Sequence, residues 1–194
     1  MKLKRIAFTV LALAALLLPA AYPAAAASPA PAAANHGTRV KIVTDLGDIV
    51  VELNDKQAPL TTANFLRYVD AKFYNGGSFF RAIPGFVIQG GNRPHENEAT
   101  DQRITLESPA TTGIKNTDGA ISMARTSDPN SATSEFFICD GDQPHLDPSG
   151  MSAGYAAFGH VTSGMSIVRK IARLPGEQQM LLTPVTILRV VRIR

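Results

Sequence analysis

Phe79-Phe80-Arg81-Ala82-Ile83-Pro84-Gly85-Phe86-Val87-Ile88-Gln89-Gly90-Gly91 sets one charged side chain among large apolar neighbours. A guanidinium stays charged at every working pH and is costly to bury without partners. Arg81 is therefore either a paired structural ion or a group positioned to act, and these residues alone leave both readings open. Gln89, an amide with donors and acceptors, follows Phe86 by three residues. Alternating strand geometry puts positions 86 and 89 on opposite faces, so both can line one site only across a bend or bulge. The paired glycines Gly90-Gly91 can supply that irregular backbone. The stretch alternates poorly and is rich in aromatics, which predicts a strand over Ser78–Gly90 buried on both faces.

Outward from this stretch the chain reads mainly as strands. Val40, Ile42 and Thr44 alternate with Lys41, Val43 and Asp45, Leu46-Gly47-Asp48 reverses the chain, and Ile49, Val50, Val51 and Leu53 follow. That pattern predicts a β-hairpin. Pro59 and the 3/4 spacing of Leu60, Ala63, Phe65, Leu66 and Val69 predict a helix over 59–71. Residues 92–115 are polar and rich in breakers, and read as loop with room for one short strand. Short apolar runs at 119–124, 135–139 and 155–161 predict core strands, separated by polar loops. Met165, Val168, Ile171 and Ala172 share one helical face, which Pro175-Gly176 terminates. The run 185–193 is β-branched at both parities, which predicts a last strand buried on both faces. Many strands and two helices predict a mainly β domain. An antiparallel barrel closed on itself would remove the exposed edges, with the two helices over its open ends.

The ends of the chain bear on where it works. Lys2, Lys4 and Arg5 precede the apolar run Ile6–Leu18, then Pro19 and small residues that include Ala25-Ala26-Ala27. These are the three parts of a secretory signal peptide, and cleavage is expected after Ala27. The apolar run is short against the ~20 residues of a membrane span. Residues 28–37 are Pro/Ala-rich and read as a flexible tether. Residues 38–194 then form one domain. The whole chain carries 19 basic and 16 acidic residues; removing the three basic residues of 1–27 leaves 16 against 16. A net formal charge of zero gives no case for nucleic acid, and no membrane association is expected once the leader is gone. Cys139 is the one cysteine, follows Phe136-Phe137-Ile138, and reads as a buried thiol.

Other chemistries lack their patterns. His36, His95, His145 and His160 include no close ligand pair, so no metal is expected. Ser122, Ser134 and Ser163 stand outside any G-x-S-x-G elbow. Gly76-Gly77 and Gly90-Gly91 match no phosphate loop, and no cofactor is expected.

Three blocks together resemble the cyclophilins, a class of peptidyl-prolyl cis-trans isomerases. They are residues 79–91; Ile121-Ser122-Met123-Ala124-Arg125 with Ser134-Glu135-Phe136-Phe137-Ile138; and Leu146-Asp147 with Tyr155-Ala156-Ala157-Phe158-Gly159-His160-Val161. The likeness runs from about residue 38 to 194 and is nearest to the exported bacterial form. It implies a closed eight-stranded antiparallel β-barrel capped by two α-helices. It implies catalysis by Arg81 with Gln89 beside it, and substrate contacts from Phe86, Val87, Met123, Ala124, Arg125, Glu135, Phe137, His145, Leu146 and Tyr155. Phe86, Phe137 and Leu146 fall at the walls of the family's proline pocket. From aromatic spacing alone Phe86 and Phe137 read better as ordinary core residues.

Four positions depart from the family pattern. Phe80 stands where His is frequent, Arg125 where Asn is common, and Glu135 where Gln is common. His145 replaces a Trp that matters for tight cyclosporin binding, so cyclosporin is expected to bind weakly. Arg125 and Glu135 are candidates to pair with each other. The implied partners are polypeptides with X–Pro bonds and unfolded exported proteins, met by a monomer in the periplasm or outside the cell. The rival reading is a proline-peptide binding module or holdase chaperone with little turnover.

Overall fold

Val40, Ile42 and Thr44 are buried while their neighbours are partly exposed, so the alternation in the sequence is the burial pattern of β1 (Arg39–Thr44). The computed structural model describes residues 37–92 and 102–194. The leader expected over 1–27, and the tether expected over 28–37 apart from Gly37, lie outside the described residues. β1 turns at Asp45-Leu46 into β2 (Gly47–Leu53) as the predicted hairpin. After α1 (Pro59–Asp70) come β3 (Gly77–Ile83), β4 (Val87–Asn92), a one-turn helix α2 (Pro109–Thr112), β5 (Ala120–Met123) and β6 (Phe136–Cys139). A 3-10 turn at Pro144–Leu146, β7 (Ala157–Ser163), α3 (Met165–Ala172), β8 (Gly176–Glu177) and β9 (Met180–Ile193) complete the order.

The strands pair antiparallel in the order β1-β2-β7-β5-β6-β4-β3-β9, and β9 pairs back onto β1. Eight strands thus close a barrel, as expected. β8 lies outside the ring and pairs with β9 alone in a short hairpin. Phe65, Leu66 and Val69 of α1 and Val168, Ile171 and Ala172 of α3 join the same core as the inward side chains of the strands. Phe65 packs against Tyr74, Phe136 and Phe158 with ring centroids 5.2, 5.5 and 5.3 Å apart.

Three expectations need correction. The single strand expected over 78–90 is two strands joined by a turn. The Phe86 N–H donates to the Ile83 carbonyl at 3.0 Å, with Pro84 at the first central position and Gly85 at the second, φ 71°. That is the type II arrangement, in which the second position needs positive φ and glycine supplies it. The stretch read as loop holds α2, whose four residues are too few to show a period. Ser108 caps it by accepting from the Ala110 N–H at 3.3 Å, and Gly113 ends it at φ 75°. The last strand is buried on one face: Leu181, Val185, Ile187 and Val190 point inward, while Leu182, Leu188 and Val191 are exposed. Its pairing with β1 jumps from Ile187 to Arg189, which leaves Leu188 as a bulge residue. One extra residue inverts the alternation, so apolar residues at both parities face the same core.

β4, β5 and β6 are the strands covered on both sides. Ile88, Ile121, Met123, Phe136 and Ile138 face into the barrel. Val87, Ala120, Phe137 and Cys139 face out, and there form a second, smaller apolar cluster with Leu146. Phe86, Ala124 and Tyr155 pack onto that outer cluster.

Candidate functional site

The site lies on this outer face, and strand register assembles it. Arg81 of β3 stands opposite Gln89 of β4, and Gln89 stands opposite Phe137 of β6, so the three lie abreast. Arg81 would share its face with Phe79, which is fully buried in the barrel, if β3 alternated strictly. The pairing skips Phe80 between Phe79 and Arg81, and this bulge turns Arg81 outward. The irregularity expected at Gly90-Gly91 also exists: Gly91, φ 95°, is the extra residue of a bulge opposite Ser78 and Phe79. It is not what brings residues 86 and 89 together. Phe86 sits in the turn before β4, where strand parity does not apply.

Arg81, Phe86, Val87, Gln89, Ala124, Arg125, Phe137, Leu146 and Tyr155 line one hollow of about 180 Å³. Drug-sized ligands fill roughly 300 Å³ or more, so this hollow fits a single small side chain. Every residue that lines it was expected to. Of the other three expected residues, His145 stacks on Phe86 at the rim, ring centroids 5.2 Å apart. Glu135 lines an adjoining polar groove with Gln89, Ala124 and Arg125. Met123 does not belong to the site. It is 1% exposed and packs in the barrel core, because alternation along β5 points it inward with Ile121.

The guanidinium of Arg81 is held from two sides. Its Nη1 donates to Gln89 Oε1 at 3.0 Å. Its Nε and Nη2 both donate to Gln179 Oε1, at 3.1 and 2.6 Å. Gln89 is fixed in turn, since its Nε2 donates to Glu135 Oε2 at 2.9 Å. Three of the five guanidinium N–H groups are thereby engaged, which leaves one on each terminal nitrogen. The charge lies 6.0 Å from the centroid of the Phe86 ring. The expected Arg125–Glu135 pairing does not form. Arg125 donates from Nε and Nη2 to the Gly154 carbonyl at 3.1 and 2.9 Å and stacks 4.6 Å over the Tyr155 ring.

The far wall comes from the loop between β6 and β7, and buried amides hold it. Asn116, 1% exposed, donates from Nδ2 to the carbonyls of Leu146 and Tyr155 at 3.2 and 3.3 Å and to Asp147 Oδ1 at 2.9 Å. Its Oδ1 accepts from Ser122 Oγ at 2.7 Å. Gln143 donates to the Gly85 carbonyl at 2.9 Å, tying this loop to the turn that carries Phe86. Tyr155 meets Phe137 edge-on, centroids 5.6 Å apart at 78°. Asn116, Gln143 and Gln179 were not expected from sequence. Their only signal there is an amide among breakers, which many surface loops share.

Burial pushes the Cys139 thiol up to about 12, with Asp147, Asp118 and Asp142 adding to the rise. Cys139 is a wall beneath the site and not a nucleophile. Among the described residues no three His, Cys, Asp or Glu side chains gather as metal ligands.

Residues 39–192 match the family described as cyclophilin type peptidyl-prolyl cis-trans isomerase/CLD. The chain is similar to a peptidyl-prolyl cis-trans isomerase of Acinetobacter baylyi, 45% identical over 71% of this chain and 73% of that protein. It is similar to peptidyl-prolyl cis-trans isomerase A of Dickeya dadantii, 41% identical over 75% of this chain and 76% of the other. Among solved structures, a cyclophilin type isomerase of Cryptosporidium parvum in the presence of the dipeptide Ala-Pro superposes with a TM-score of 0.70. That structure is 27% identical and matches over 80% of this chain and 99% of its own.

Proposed function

The chain belongs to the cyclophilin-type peptidyl-prolyl cis-trans isomerases, and from that premise we propose that Arg81 drives the rotation while the apolar walls of the outer hollow grip the proline ring. The X–Pro amide resists rotation by ~18–20 kcal/mol because resonance gives its C–N bond double-bond character. As the bond twists, the nitrogen loses conjugation and its lone pair becomes a hydrogen-bond acceptor. A donor aimed at that nitrogen binds the twisted state better than either planar state, and that difference lowers the barrier. Arg81 supplies the donor through an N–H that Gln89 and Gln179 leave unused. Phe86, Phe137 and Leu146 hold the pyrrolidine as the fixed end while the preceding carbonyl swings. They also exclude water, which strengthens the donor's contact. Val87, Ala124, Arg125 and Tyr155 complete the walls, with Glu135 and His145 flanking the groove. No covalent bond forms or breaks, so the scheme calls for no nucleophile.

One observation carries this reading: Arg81, at the rim of a proline-sized hollow walled by Phe86, Phe137 and Leu146, is clamped by two glutamines that leave two of its N–H groups unused. Arg81→Ala is expected to lower kcat/KM by ~10²–10³, the scale of losing one preorganised donor. A protease-coupled proline-peptide assay reads this directly, and full activity in R81A would remove the mechanism. Wild-type binding of a proline peptide without exchange between its cis and trans signals in NMR would instead favour a binding module or holdase.

The same proposal places the work on exported proteins. Its support is the tripartite leader of residues 1–27 and the zero net formal charge that remains after it. The protein then meets unfolded X–Pro chains as a monomer in the periplasm or outside the cell. Cyclosporin binds weakly, with His145 rather than a tryptophan beside Phe86.

A further inference from the structure

The hairpin of β8 and β9 turns through two residues, Gln178 and Gln179, at φ 49° and 72°. Two-residue turns with both φ positive are the province of Asn-Gly and Gly-Gly, because a longer side chain fits the left-handed region poorly. Two glutamines therefore occupy a position that local conformation argues against. Gln179 makes two kinds of contact from there. Its backbone carbonyl accepts the Ala82 N–H at 3.0 Å. Its side-chain Oε1 takes the Nε and Nη2 hydrogens of Arg81. Met180, next along, pairs with Arg81 in register. The hairpin is thus bound by backbone to β3 whatever side chain stands at 179. The side chain adds one thing, its hold on the guanidinium.

That hold is geometrically distinct from the one Gln89 provides. A guanidinium is planar, and an acceptor on Nη1 alone leaves it able to tilt about its own stem. A second acceptor bridging Nε and Nη2 fixes the plane. The bond is exposed to solvent, where a hydrogen bond adds little net stability, so its effect falls on orientation. We infer that Gln179 is a positioning residue for turnover: from outside the barrel ring it fixes the plane of Arg81 opposite to Gln89. This rests on the reading of Arg81 as the donor.

The test is a set of variants measured for kcat, KM, peptide Kd and Tm, with the exchange rate of the Arg81 Nε–H followed by NMR. Gln179→Gly keeps the backbone bond and suits the positive φ, so Tm stays level or rises. It is expected to lower kcat about 5- to 10-fold, as a slightly misplaced group does, with KM and Kd within about twofold and faster Nε–H exchange. Gln179→Glu keeps an acceptor at the same reach and is expected to restore kcat to within about threefold of wild type. The inference is overturned if Q179G keeps kcat within about twofold, if its loss is matched by a fall in Tm, or if Q179E is as slow as Q179G. Arg81→Ala, measured alongside, separates the two levels. An active R81A removes the donor reading itself, whereas an inactive R81A with an active Q179G removes the role of Gln179 alone.

Discussion

Cys139 shows how a single residue can be chemically silent beside the candidate site. It stands opposite Val87 in register and is fully buried in the outer cluster. Burial, then the carboxylates of Asp147, Asp118 and Asp142, push the thiol from its ordinary 9.0 to about 12. Only the thiolate is nucleophilic. Iodoacetamide at pH 8 is therefore expected to leave the native protein unlabelled and to label the chain fully in denaturant, read by mass. Linkage gives the sign in alkali. The unfolded chain releases this proton near 9 and the native chain holds it to about 12, so stability declines as pH rises between those values. Legibility at this scale follows from chemistry. Arg81 and Gln89 stood out because a cation and an amide among aromatics are unusual, whereas Phe86 and Phe137 read from spacing as core and came to the candidate site only through the resemblance. Gln179 did not stand out, since it reaches Arg81 across 98 positions of sequence. Met123 misled because its neighbours Ala124 and Arg125 line the hollow and strand parity alone turns it away.

Helix α1 illustrates what an element borrows from elsewhere. Its N-cap is Ala58, which offers no side-chain acceptor, and its first turn holds no acid. Glu107 fills the gap from 46 and 47 residues away: its two carboxylate oxygens accept the Leu60 and Thr61 N–H groups at 3.0 and 2.7 Å. A carboxylate here meets both the orphan donors and the positive end of the helix dipole. Glu107→Ala is expected to cost about 1–2 kcal/mol of stability in urea titration, with kcat of the folded protein unchanged. At the other end Asp70 faces the negative pole, and Arg192 of β9 offsets this by donating from Nε at 2.8 Å. That hydrogen bond is the main reason the Asp70 carboxyl sits below its usual range. The β1–β2 hairpin and both long helices were legible because each carries a local period. The Pro84-Gly85 turn carried an equally local signal, but the aromatic density around it suggested an unbroken strand. The Leu188 bulge mimics a strand buried on both faces and has no local signal of its own.

The whole molecule keeps two apolar clusters apart, one inside the barrel and one beneath the outer hollow. Strand content was readable piece by piece. The ring order was not, because pairings such as β2 with β7 and β4 with β6 join distant segments. The proposed export belongs to this scale as well. Expressed in a bacterial host, the protein recovered from periplasm or medium is expected to begin at Ser28 by intact mass, and recovery there of the uncleaved chain would count against the leader.

The seam that shuts the barrel has one more effect. Arg39 and Ile193 are direct partners across β1 and β9, so the domain's first and last strands finish a single ladder rung apart, about 5 Å between Cα atoms. A few linking residues would make the backbone a continuous loop at small entropic cost. The fold is thus poised for circular permutation, and segments joined directly at Arg39 and at Ile193 would leave the barrel from one and the same edge.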